Sequence, residues 1–162
     1  MGVKINFAEG EYLKGLDDIV KKLQSGVDKL NKKNSQGFTD ALMFVASESQ
    51  QRAPVDTGDL RGSVKVEING ETYAEGEKVN NDSSENKKQK VKIPNREINI
   101  VGALPEHATK GSVSFNTKYA AQQHEQINYN HPNGGQAKYL ESVLIENQDR
   151  ILQLIANGKV DE

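Results

Sequence analysis

Residues 53–70 read APVDTGDLRGSVKVEING, and the parsing of this stretch decides the fold. Proline disfavours helical geometry in the residue ahead of it, so the helical periodicity that reaches Gln51 must end before Pro54. From Leu60 the period changes to two. Leu60, Gly62, Val64, Val66 and Ile68 alternate with Arg61, Ser63, Lys65, Glu67 and Asn69, the pattern of a half-buried strand. Asn69-Gly70 then supplies the positive φ of a tight hairpin turn. Between helix and strand, Pro54, Asp56, Thr57, Gly58, Leu60 and Arg61 are expected to form a structural turn. Asp56 or Thr57 would accept backbone N–H bonds, Gly58 would permit a left-handed bend, and Arg61 lies near enough to pair with Asp56 or Asp59.

Upstream of the turn, Leu13, Leu16, Ile19, Val20, Leu23, Val27 and Leu30 recur at three- and four-residue steps, which predicts a first helix with an apolar stripe. Ser35 looks like a second start signal, and Phe38, Ala41, Leu42, Val45, Ala46 and Ser49 carry a second helix to Gln51. Downstream, residues 74–90 (AEGEKVNNDSSENKKQK) are almost wholly polar and predict a loop or extended hairpin inserted in a single domain of residues 1–162. Strand character returns at Val91 and Ile93, at Ile98, Ile100 and Val101, and at Val113 and Phe115. A last helix is expected over Lys138–Ala156, striped by Leu140, Val143, Leu144, Asn147, Ile151, Leu154 and Ile155 and ended by Gly158. The order predicts an α+β fold, with N-terminal helices and a C-terminal helix packed on a small antiparallel β-sheet.

Composition narrows the function. The chain has 162 residues, 35% hydrophobic and 27% charged, with a formal net charge of −2 and a mean hydropathy of −0.74. Such a core is thin, and much surface is left for water or for neighbouring subunits. No cysteine is present, which excludes disulfides and thiolate metal sites. Neither a leader-like segment nor a run of about 18 apolar residues is read, so no membrane partner is expected. The charge balance gives no whole-chain footprint for tight nucleic-acid binding. Lys87, Lys88, Lys90 and Lys92 form one basic run, a solvated loop or a contact to DNA phosphates or a neighbouring subunit.

Asp56-Thr57-Gly58 is also the triplet on which aspartic proteases carry their catalytic carboxylate, and Ile100-Val101-Gly102 follows it downstream. A dimeric protease using Asp56 is therefore an alternative. Against it, the triplet leaves the polar end of a helix, Glu48-Ser49-Gln50-Gln51-Arg52, rather than a buried apolar strand. Asp59 would add a charge beside a shared-proton dyad. Three histidines raise a metal question, but His107, His124 and His131 lack the spacing of a zinc site. Gly134-Gly135 lacks the strand–loop–helix setting of a phosphate loop. No cofactor, metal site or catalytic residue is expected, and the chain is read as a non-enzyme.

Two segments together carry a resemblance. Ala53-Pro54-Val55-Asp56-Thr57-Gly58-Asp59-Leu60-Arg61-Gly62-Ser63 resembles the signature of the tail-completion or head–tail joining (neck) proteins of tailed bacteriophages, often labelled minor capsid proteins. Tyr119-Ala120-Ala121-Gln122-Gln123-His124-Glu125, followed by His131-Pro132 and by Gly134-Gly135-Gln136-Ala137-Lys138-Tyr139-Leu140, is similar to the later motif of that family. There a tyrosine-alanine strand leads to a glycine-bearing loop and a final helix.

The resemblance implies a virion structural protein, assembled in the bacterial host cytoplasm. It would form a homo-oligomeric ring, a hexamer or a dodecamer, between the portal or connector and the tail proteins. DNA would pass through the lumen without sequence-specific binding, which a mildly acidic chain favours. Tyr119, His124, Glu125 and His131 are the candidate subunit contacts. An assembly chaperone absent from the mature particle is the other alternative.

Overall fold

The computed structural model describes residues 16–55, 58–77 and 97–157. Among these residues nine elements follow in order: α1 (Leu16–Arg52), α2 (Asp59–Gly62), β1 (Val64–Ile68), β2 (Glu71–Gly76), β3 (Ile98–Ile100), β4 (Gly111–Phe115), α3 (Ala120–Glu125), α4 (Tyr139–Glu146) and α5 (Gln148–Asn157). The four strands form one antiparallel sheet in the order β3-β2-β1-β4. The fold is α+β, as the sequence predicts.

The hairpin turn falls where Asn69-Gly70 places it, with φ of 54° and 88° at the two residues. Asn69 also fastens the turn to the chain entering β4. Its Nδ2 donates to the His107 carbonyl at 2.7 Å, and its Oδ1 accepts from the Thr109 N–H at 3.0 Å. Period-two burial holds along β1: Val64, Val66 and Ile68 are buried, with Lys65 and Glu67 between them. The buried row meets Ala46 of α1 together with Tyr73 and Ala74 of β2, and Leu42, Met43, Val113 and Phe115 close round it. Complete burial of a valine such as Val66 contributes about 2 kcal/mol. On the outer face Lys65 and Glu67 pair at 2.7 Å.

Five expectations are corrected. The two N-terminal helices are one helix of 37 residues, about 55 Å long at 1.5 Å per residue. Ser35 starts nothing. It is buried in mid-helix, where its hydroxyl donates to the Glu106 carbonyl at 3.0 Å and accepts from the Ala108 N–H at 2.7 Å. Leu60 and Gly62 lie in the one-turn helix α2, so the strand begins at Val64. Tyr119-Ala120-Ala121 leads into the helix α3 rather than a strand. The last helix is broken at Asn147, whose side-chain Nδ2 donates to the Val143 carbonyl at 3.1 Å and competes with the backbone ladder.

Residues 74–76, expected in the polar loop, belong to β2. The remainder of that loop, the strand character at Val91 and Ile93, Leu13 and Gly158 lie outside the described residues. No described helix is long and apolar enough to cross a membrane.

The final helices pack on α1. Arg52, in the last turn of α1, reaches Glu146 at 2.6 Å and the Ser142 hydroxyl at 3.1 Å. The Arg150 guanidinium stacks over the Phe44 ring, 4.8 Å from its centroid. Among the described side chains of α1, burial begins at Ser35. Between residues 21 and 34 every described side chain is exposed except the half-buried Gln24. Leu23, from the predicted apolar stripe, is 50% exposed.

Candidate functional site

The end of α1 leaves carbonyl groups without helical partners. Arg61 satisfies two of them: its Nε donates to the Ala53 carbonyl at 2.9 Å and its Nη2 to the Gln51 carbonyl at 2.7 Å. A guanidinium suits this place, because its planar fork reaches two acceptors and its charge opposes the negative end of the helix dipole. In return Gln50 Nε2 donates to the Arg61 carbonyl at 2.9 Å. Partial burial pulls the Arg61 pKa below its ordinary value. Gly58, at φ 87°, caps α2, and its carbonyl accepts from the Gly62 N–H at 2.9 Å. Leu60 turns inward and is buried with Ala53, Ala120 and Tyr139. Asp56 and Thr57 lie outside the described residues.

The second motif folds onto this turn from about eighty residues away in sequence. The Gln136 N–H donates to the Arg52 carbonyl at 2.8 Å, and the Val55 N–H donates to the Gly134 carbonyl at 3.2 Å. Gly135 is what allows the approach. Its φ is +96°, and a Cβ there would stand 2.6 Å from both the Ala53 carbonyl oxygen and the Pro54 nitrogen. Sequence reasoning weighed Gly134-Gly135 as a phosphate loop; the structure uses Gly135 for close backbone packing.

Tyr139 locks the arrangement. Its ring is buried edge-on to Phe115 at 4.9 Å and to His124 at 5.0 Å. Its hydroxyl donates to the Ala120 carbonyl at 3.0 Å. Burial, with the nearby Tyr119 hydroxyl, pushes its pKa up to about 12.

Of the four candidate contact residues, His124 and Glu125 are engaged within the chain. His124 Nδ1 lies 2.7 Å from Glu125, and the His124 carbonyl accepts from the Lys138 N–H at 2.7 Å. The Lys138 ammonium bridges Glu125 at 2.5 Å and Glu141 at 3.0 Å. Hydrogen bonds from Lys138 and His124 hold the Glu125 carboxyl below its ordinary pKa, and those to Glu125 and Glu141 raise that of Lys138.

Tyr119 and His131 line a cleft of about 490 Å³. Pro54, Val55, Gly58 and Leu60 form one wall; the other runs from Tyr119 and Gln123 through Tyr129 to Asn133. The cleft thus lies between the two motif segments. None of its described lining residues is an Asp, Glu, Lys or Arg; Asp56 and Thr57, between Val55 and Gly58, lie outside the described residues. His131 Nε2 is buried with no hydrogen-bond partner. Tyr129 fixes its wall by accepting a bond from Gln122 Nε2 at 2.6 Å.

Sequence reasoning missed Val55, Gln123, Tyr129, Asn130, Pro132 and Asn133. The available signal was the lack of charge from Gln126 to Ala137 in a chain that is 27% charged. Among the described residues, no group of three or more His, Asp or Glu side chains is placed to hold a metal ion. Lys87, Lys88, Lys90 and Lys92 lie outside the described residues. Among the described residues, what this arrangement offers chemically is a recess lined by apolar and neutral polar side chains, suited to seating a neutral side chain.

A comparison with protein families matches residues 17–107 to the HK97-gp10-like family, described as "Bacteriophage HK97-gp10, putative tail-component". The match spans more than half of the chain. It contains the first motif segment and ends before β4, so the second segment lies beyond it. No curated protein and no solved structure gives a significant match.

Proposed function

This chain belongs to the HK97-gp10-like family of bacteriophage tail components, and we propose that its part in the tail is a closed ring of identical copies at the head–tail junction. The ring, a hexamer or a dodecamer, joins the portal or connector to the tail and passes DNA through its lumen without reading sequence. The protein acts by geometry and not by catalysis.

One observation carries this reading. Large apolar side chains stand uncovered on separate surfaces: Ile100 and Val101 at the β3 edge, 61% and 57% exposed, and Ile145 and Leu152 on the final helices, 69% and 59% exposed. A head-to-tail ring requires two different faces on each subunit, each completed by its neighbour. Leu23, in the N-terminal half of α1, supports the same reading, since it finds no cover within the described chain.

Negative-stain imaging of the purified protein, with mass spectrometry of purified virions, tests the proposal. Rotationally symmetric rings and a constant copy number in finished particles are expected. Particles that lack the protein would assign it to assembly alone and overturn the proposal, as would a monodisperse monomer at high concentration. Asp56→Asn is expected to leave ring formation intact.

A further inference from the structure

We infer that the cleft between the two motif segments is a contact between copies of this chain, filled by the Ile127 side chain of a second copy. The inference rests on the ring reading above and names one of its contact surfaces.

Ile127 is the most exposed large hydrophobic residue among those described, at 73%. It follows α3 on the stretch that supplies the outer wall of the cleft. That stretch, Gln126 to Ala137, contains no Asp, Glu, Lys or Arg. Tyr119 and Tyr129, each 39% exposed, stand at the cleft itself. Protein interface cores are marked by such a combination: charge is depleted, and tyrosine is enriched. Among the described residues the surface therefore offers both an apolar knob and an apolar recess, and neither carries charge.

The match in charge decides the occupant. The described lining offers phosphates and charged peptides no ion pair, whereas the turn around Ile127 is flanked by the neutral Gln126 and Asn128. A volume of about 490 Å³ is ample for one branched side chain and the turn that carries it. The orphaned His131 Nε2 gains a polar partner from that turn, whose amides arrive with the isoleucine; buried ring nitrogens in finished assemblies are rarely left unpaired. A second copy is the occupant for which both halves of the fit are already present on this chain.

The absence of native cysteine makes the test clean. Ile127→Cys is prepared in one sample and Val55→Cys in another, with Asn133→Cys as the second cleft position should Val55→Cys fail to fold. Mixing under mild oxidation is expected to yield a disulfide-linked pair that neither sample gives alone. In a second arm, Ile127→Asp is expected to weaken self-association at least tenfold in sedimentation without shifting the melting temperature. Wild-type oligomers with no mixed pair, or with Ile145→Cys pairing just as well in place of Ile127→Cys, overturn this inference and leave the ring intact. So does an Ile127→Asp protein that self-associates normally but fails to enter virions, which would assign the cleft to a foreign tail protein. A wild-type monomer at every concentration overturns the ring reading itself.

Discussion

Replacing Gly135 by alanine tests the central packing claim, because its neighbour supplies an internal control. Both glycines of the pair have left-handed backbones, φ 95° at Gly134 and 96° at Gly135. A Cβ at Gly134 meets nothing within 4 Å, whereas one at Gly135 collides with backbone atoms of Ala53 and Pro54. Gly134→Ala therefore carries only the left-handed penalty, about 1 kcal/mol. Gly135→Ala carries the same penalty and must also push the loop off the end of α1. That movement breaks the Gln136–Arg52 and Val55–Gly134 backbone bonds, each worth about 1 kcal/mol net. The expected loss is about 3 kcal/mol. For a chain of this size it lowers the melting temperature by about 10 °C, against about 3 °C for the control. Urea or thermal denaturation at one fixed protein concentration measures both. Two variants within about 1 kcal/mol of each other would refute the claim that backbone contact, rather than φ alone, makes glycine necessary at 135.

Three other perturbations follow from the same geometry. Arg61→Ala removes two charge-assisted bonds to the end of α1 and is expected to cost about 2–3 kcal/mol; Arg61→Lys, which lacks the fork, should recover less than half of it in urea titrations. Tyr139 has a folded-state pKa of about 12, above the ordinary value of about 10. Its stabilisation is thus complete below pH 10 and is lost as pH rises towards 12, by about 2–3 kcal/mol in all. Denaturation across that range should show this limb flattened in Tyr139→Phe, which also loses about 1 kcal/mol at neutral pH with the Ala120 bond. Asn69→Ala frees the loop that enters β4 and is expected to cost about 1–2 kcal/mol, visible as faster amide exchange at Thr109 and Lys110.

The sequence made the sheet legible where burial is local and periodic. Val64, Val66 and Ile68 alternate because one face of β1 meets α1, and Asn69-Gly70 turns because its residues tolerate positive φ. It misled where a residue serves a distant partner. Ser35 has the chemistry of a helix cap, yet its hydroxyl bonds residues 106 and 108, more than seventy positions away. Leu60 and Gly62 matched the strand period by coincidence; Gly58 had already wound the chain into a helical turn. Ala120 to Gln123 are good helix formers, and that local preference overrode the strand expected from the resemblance. In the last helix, Asn147 divides a stripe read as continuous, so Val143 and Leu154 are buried while Leu144 and Ile155 face outward. At the cleft, the sequence singled out Tyr119 and His131 as subunit contacts and Pro54, Gly58 and Leu60 as part of a turn. That the two segments line one cleft was not legible, since no local rule reports that Gly135 lies against Pro54.

The geometry of the cleft is therefore a property of long-range fastening rather than of either wall. One wall leaves the end of α1 and the other leaves α3, and they are held in register by the Gly135 approach and by the Tyr139 hydroxyl on Ala120. Loosening that fastening should alter the cleft even in molecules that remain folded, whereas an equal loss of stability elsewhere should not. Asn69 lies outside the cleft lining and provides the contrast. Compared where each protein is almost wholly folded, Tyr139→Phe is expected to weaken self-association several-fold in sedimentation, while Asn69→Ala leaves it unchanged despite a similar thermal penalty. If both weaken it in proportion to their lost stability, association follows the folded population alone, and the cleft has no separate role.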